Sequence, residues 1–113
     1  MKVFAKTNKS IPGFAYWGDF GEIDTGWSSG EIIDNNKYPG EKLHYHKTGT
    51  TYFLSLSGVG LIQVEGEEIE LPKETLLQID PGEKYKVLGA KETPFRYIVV
   101  CTSKERSEKV EVE

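Results

Sequence analysis

The chain has 113 residues, of which 37% are hydrophobic and 28% charged, and its formal net charge is −4. That length supports one hydrophobic core and not two, and an acidic balance excludes the basic footprint of a nucleic-acid binder. No apolar run approaches the roughly 20 residues that span a bilayer. The first residues carry no signal-peptide core, and the single cysteine, Cys101, cannot form an internal disulfide, so the expected setting is cytoplasmic, with neither membrane nor nucleic acid as a partner.

Taken in chain order, runs rich in β-branched and aromatic residues recur at 2–5, 14–17, 27–33, 42–46, 51–56, 60–65, 67–70, 75–79, 84–88 and 95–102. Turn-forming pairs separate them: Pro12-Gly13, Asn35-Asn36, Pro39-Gly40, Ser57-Gly58, Glu65-Gly66, Pro81-Gly82 and Gly89-Ala90. The run Val64-Glu65-Gly66-Glu67 reads as a tight hairpin, because Gly66 takes a positive φ at little cost. No window gives an amphipathic helix of a dozen residues. Short strands with regular turns predict an all-β sandwich or barrel in one domain over 1–113. The charged tail, 103–113, is expected to fray in solvent or to pair with a neighbouring chain as an edge strand.

Chemistry concentrates in Gly40-Glu41-Lys42-Leu43-His44-Tyr45-His46, which holds both histidines of the protein. Alternate side chains of a strand share a face, so His44 and His46 are expected to project together. Two converging imidazoles suit a metal site or an acid/base site. Strand 51–56 is dense in apolar residues (Tyr52, Phe53, Leu54 and Leu56), so one face belongs to the core and the other calls for a cover such as a second subunit. Tyr16, Trp17 and Trp27 read as core or interface aromatics, and Cys101 as a small core residue.

The stretch from Gly40 to Gly58 resembles the first motif of the cupin superfamily, in which Gly precedes His-x-His, a glutamate follows after three or four residues, and Gly follows after six more. His44 and His46 match the histidine pair and Gly58 the last glycine, whereas Thr51 stands where the glutamate is usual. Asp80-Pro81-Gly82-Glu83-Lys84-Tyr85 resembles the second motif, with Tyr85 at its histidine position. The resemblance covers roughly 27–100. It implies a double-stranded β-helix, a jelly-roll barrel of the RmlC-like kind, as a homodimer that binds a small molecule.

A full cupin metal centre, by that resemblance, has three histidines and a glutamate, of which this chain keeps two histidines. The resemblance therefore implies a divalent transition metal held by His44 and His46, with Tyr85 orienting or protonating substrate and Thr51 adding a hydroxyl contact. Gln63, one strand further on, is a candidate substrate contact. Two other readings stand beside this one. Sugar-nucleotide epimerases and isomerases of cupin type use histidine and tyrosine as base and acid without metal, and a cupin whose ligand set has decayed is a binding or sensory module. Nucleotide diphosphates call for cations, and Arg96 and Arg106 are the only arginines.

Overall fold

The computed structural model describes residues 1–7, 14–17, 25–103 and 108–112. Its strands are β1 (Lys6–Thr7), β2 (Phe14–Trp17), β3 (Gly26–Ile32), β4 (His44–His46), β5 (Thr51–Val64), β6 (Glu67–Leu71), β7 (Leu76–Ile79), β8 (Tyr85–Cys101) and β9 (Lys109–Glu111). A 3-10 turn at Asn35–Lys37 is capped by Asp34, whose carboxylate accepts from the Asn36 N–H. The Pro12-Gly13 turn lies outside the described residues. No helix among the described residues is long and apolar enough to cross a membrane.

All strand pairs are antiparallel. β8 runs between β3 and β5, β5 also pairs with β6 and β7, and β4 joins β8 to β9. The β5–β6 hairpin turns through Glu65 and Gly66, both at positive φ, as its sequence predicts. Two pairs of expected strands prove continuous. Residues 51–56 and 60–65 merge into β5, which shifts register around Gly58 (φ 71°) instead of turning back there. Residues 84–88 and 95–102 merge into the 17-residue β8. At about 3.3 Å per residue, a straight β8 would span roughly 55 Å, whereas the longest dimension of the fold is 37 Å. The strand must curl, and this curvature makes the sheet a barrel.

Inside it, Thr51, Phe53 and Ser55 alternate inward while Tyr52, Leu54 and Leu56 point out. Phe53, Phe95 and Tyr97 form an aromatic cluster, with Tyr97 stacked on Phe95 at 4.7 Å between ring centroids and tilted on Phe53 at 5.5 Å. Gly30 faces the Tyr97 ring and Gly60 the Phe95 ring so closely that a Cβ at either position would fall on the ring. Ile32, Ile62, Val64, Leu71, Ile79, Val87 and Ala90 complete the core. The tail corrects an expectation: β9 pairs with β4 of its own chain, through His44↔Glu111, Tyr45↔Val110 and His46↔Lys109.

Candidate functional site

β4 is only three residues long, yet it is held on both sides, by the start of β8 and by β9. Strand alternation sends both imidazoles to one face, with centroids 5.7 Å apart. Tyr85, cross-strand partner of His44, lays its ring 4.3 Å from His44 and 6.0 Å from His46. Its hydroxyl stands 3.1 Å from His46 Nε2 and donates to Thr51 Oγ1 at 3.5 Å. The structure thus brings together His44, His46, Thr51 and Tyr85. Gln63 does not join them. It alternates with the core residues Ile62 and Val64, so the pleat sends it to the opposite face.

Each histidine is committed to protein partners on both ring nitrogens. His44 Nδ1 lies 2.8 Å from the Lys42 carbonyl, to which it donates, leaving Nε2 facing Glu41 Oε1 at 3.3 Å. Glu41 Oε2 in turn accepts from the Val87 N–H at 3.2 Å. His44 is almost fully buried, and burial pushes its pKa down to about 4, against the pull of the Lys42 carbonyl. Burial also raises Glu41 above the usual carboxylate range, with Val87, Lys109 and His46 acting against it. Both shifts favour the uncharged pair, a neutral imidazole beside a protonated carboxyl.

His46 has the opposite balance. Burial lowers its pKa, but its contacts with Cys101 and Glu108 outweigh that and leave it raised. Glu108 Oε2 is in direct contact with Nδ1, Cys101 Sγ lies 3.8 Å from the same atom, and Glu108 Oε1 accepts from the buried Gly49 N–H at 2.8 Å. The Cys101 thiol, raised by burial, is lowered overall by His46 and by the Ser103 backbone. Tyr85 is raised well above an ordinary phenol, by burial first, although the Thr51 bond pulls the other way. It therefore remains a proton donor at neutral pH.

Three members of the site escaped the sequence reading. Glu41 lies within the histidine stretch itself, three residues before His44, a spacing that nothing in a strand pattern marks. Cys101 reads as core but is half-buried beside His46. Glu108 is only 6% exposed, and its place among the charges of the tail gave no sign of burial.

The four positions that the cupin resemblance singles out fit a metal poorly. Both His44 nitrogens are engaged, the Tyr85 phenol keeps its proton, and Thr51 offers only a neutral hydroxyl. A different group, His46, Cys101 and Glu108, places one nitrogen, one sulfur and one oxygen within 4.8 Å of one another and can hold an ion.

The curled antiparallel barrel, with His44, Thr51 and Tyr85 buried inside it, fits the cupin architecture, and a cupin domain profile matches residues 37–101. The chain belongs to the cupin family. It matches no curated protein at the sequence level. Among solved structures it is similar to an uncharacterized conserved protein with a double-stranded β-helix domain from Klebsiella pneumoniae (14% identity over 97% of this chain and 91% of that one, TM-score 0.73). A cupin from Bacteroides fragilis is 21% identical over 100% and 92% of the two chains, TM-score 0.69. Streptomyces PAC13 with uridine is 13% identical over 97% and 84%, TM-score 0.69. Pac13 is described as a nucleoside dehydratase, and its uridine complexes include variants that replace a histidine with glutamine or a tyrosine with phenylalanine.

Proposed function

We propose that this cupin moves protons on a small hydroxylated carbonyl compound of sugar or nucleoside type. The observation that carries this reading is the line Glu108–His46–Tyr85–Thr51. Glu108 holds the proton of His46 on Nδ1, which leaves the Nε2 lone pair as a base facing the centre of the site. A substrate carbon acid that takes the place of the His46–Tyr85 contact gives its proton to Nε2. The electrons of that C–H bond pass into an enolate, whose oxygen is stabilised by the Tyr85 hydroxyl. Returning the proton to the opposite face of the carbon is epimerisation. Expelling a β-hydroxyl, which leaves as water with the proton from His46, is dehydration.

The charges favour an uncharged substrate over a phosphorylated one. Glu108 brings a carboxylate to the site, and Arg96 is committed to Glu31 on the exposed outer side. The names of the Streptomyces neighbour support the reading by analogy of fold only. A homodimer is part of the proposal. Leu54, Leu56 and Leu76 lie exposed on the outer face of β5 and β7, with Leu54 opposite both Leu76 and Ile98 in register, an apolar surface suited to a second copy.

The test is carbon-bound proton exchange. Incubated in deuterium oxide with aldehyde or keto forms of sugars and nucleosides, the protein is expected to wash deuterium into the carbon next to the carbonyl, with or without a chelator. Exchange abolished by the chelator would replace this reading with a metal-dependent one, and no exchange across the panel would end it.

A further inference from the structure

We propose that His46, Cys101 and Glu108 form a binding site for a thiophilic divalent cation such as Zn2+, on the Nδ1 side of the imidazole, with Cys101 and Glu108 standing outside the positions the cupin motifs supply. The donors come from three separate parts of the chain: β4, the last residue of β8, and the residue before β9. Their ligand atoms lie within 4.8 Å of one another, with Cys101 Sγ 3.8 Å from His46 Nδ1. Around a tetrahedral Zn2+, with bonds of about 2.0–2.3 Å, such atoms stand roughly 3.3–3.8 Å apart. Loading an ion therefore takes a small closing of the widest gap, while Glu108 Oε2 moves off Nδ1 and binds the ion instead.

Space for the cluster depends on Gly49. A Cβ there would stand 2.7 Å from Glu108 Oε1 and 2.9 Å from Cys101 Sγ, crowding two of the three donors. The Gly49 N–H, at 2.8 Å, orients the carboxylate, and the Glu108 carbonyl is pinned by the Lys47 N–H at 2.8 Å. Outer bonds of this kind fix metal ligands in place. One thiolate and one carboxylate match the charge of the ion, and imidazole with thiolate suits zinc better than magnesium or calcium. Three protein ligands leave a fourth position for water.

Occupancy has a consequence for His46, in the one respect that rests on the acid/base reading. An ion takes the lone pair of Nδ1, so the single proton of the neutral ring passes, by way of solvent, from Nδ1 to Nε2. Nε2 then carries a proton, and the proposed base is withdrawn. Zinc is thereby an inhibitor of proton abstraction and not its cofactor.

The experiment uses metal-stripped protein titrated with Co2+, without substrate, so that its outcome is independent of the proton-transfer reading. One ion per chain is expected, with the intense near-ultraviolet band of a cobalt–thiolate bond. Cys101→Ser should lose the band, and Glu108→Gln should bind more weakly by at least the ~10–100-fold that removing an outer-shell partner costs. His44→Gln should leave the band in place. An undiminished band in Cys101→Ser, binding without a band in the wild type, or equal loss in His44→Gln and Glu108→Gln would overturn the site. Should the variants fail to fold, X-ray absorption at the zinc edge of the wild type decides: one sulfur neighbour is expected, and none refutes the assignment.

Discussion

Glu108→Ala separates a buried site residue from an ordinary tail residue. The side chain is 7% exposed, accepts the buried Gly49 N–H, and contacts His46 Nδ1. Truncation orphans the amide donor, at ~1–3 kcal/mol, and removes the bond between the carboxylate and the His46 ring, at ~1.5–3 kcal/mol for a hydrogen bond to a charged group. Together the expected loss is about 3–5 kcal/mol from a total that in small domains is ~5–15 kcal/mol. With each kcal/mol worth ~4–8 °C in a domain of up to about 100 residues, the thermal midpoint should fall by at least ~12 °C. A residue in a solvated tail would move stability by no more than ~0.5 kcal/mol, about 4 °C or less. Calorimetry of the two proteins at pH 7 is the assay. Glu108→Gln serves as its control, because the amide keeps an acceptor for Gly49 and should recover a large part of the loss. A midpoint for Glu108→Ala within ~4 °C of the wild type would refute the burial argument and the tail's place in the site.

Tyr85→Phe deletes a hydroxyl that meets His46 Nε2 and Thr51 but leaves the ring packed. Any deuterium-exchange activity found should drop by ~10²–10⁴ while stability changes by about 1 kcal/mol; an active phenylalanine variant would remove Tyr85 from the chemistry. His44 is held near 4 in the folded chain against 6.5 in its ordinary state, so the unfolded chain takes up its proton first. Its contribution to stability is whole above pH 6.5 and drains away as pH falls toward 4. The raised Glu41 works in the opposite direction, gaining stability in acid. Urea midpoints between pH 7 and 4.5 should therefore fall less steeply in His44→Gln than in the wild type, and parallel curves would count against a buried neutral His44. For the outer face, Leu54→Lys with Leu76→Lys should convert a dimer to monomer in sedimentation, and an unchanged dimer would place the interface elsewhere.

The fold was legible because strand alternation and turn residues act locally. The hairpin at Glu65-Gly66 needed only neighbouring residues, whereas the dense apolar run from Tyr52 to Leu56 did not say which of its faces is core. Ser57-Gly58 and Gly89-Ala90 misled, since a glycine that permits a turn also permits a bulge, and partners across the sheet decide between them. The site divided in the same way. His44 and His46 share a face by local geometry, and Tyr85 came from a motif resemblance. Glu108 meets His46 across 62 positions of sequence, through a β4–β9 pairing that no local pattern announces. Gln63 failed for a reason of parity, because the pleat that buries Ile62 and Val64 turns it away.

The curl of β8 carries one more consequence. Tyr85 opens that strand and Cys101 closes it, yet both reach the imidazole of His46, one to each ring nitrogen. The ring is thus a clasp across the two ends of a single strand. A ligand that bridges these groups binds the folded barrel alone, so its binding free energy adds to the stability of the fold. A ligand at 100 times its dissociation constant then adds about 2.7 kcal/mol to the folded state. A rise in melting temperature can therefore find the natural ligand before any reaction is known, with the stability of the barrel itself serving as the reporter.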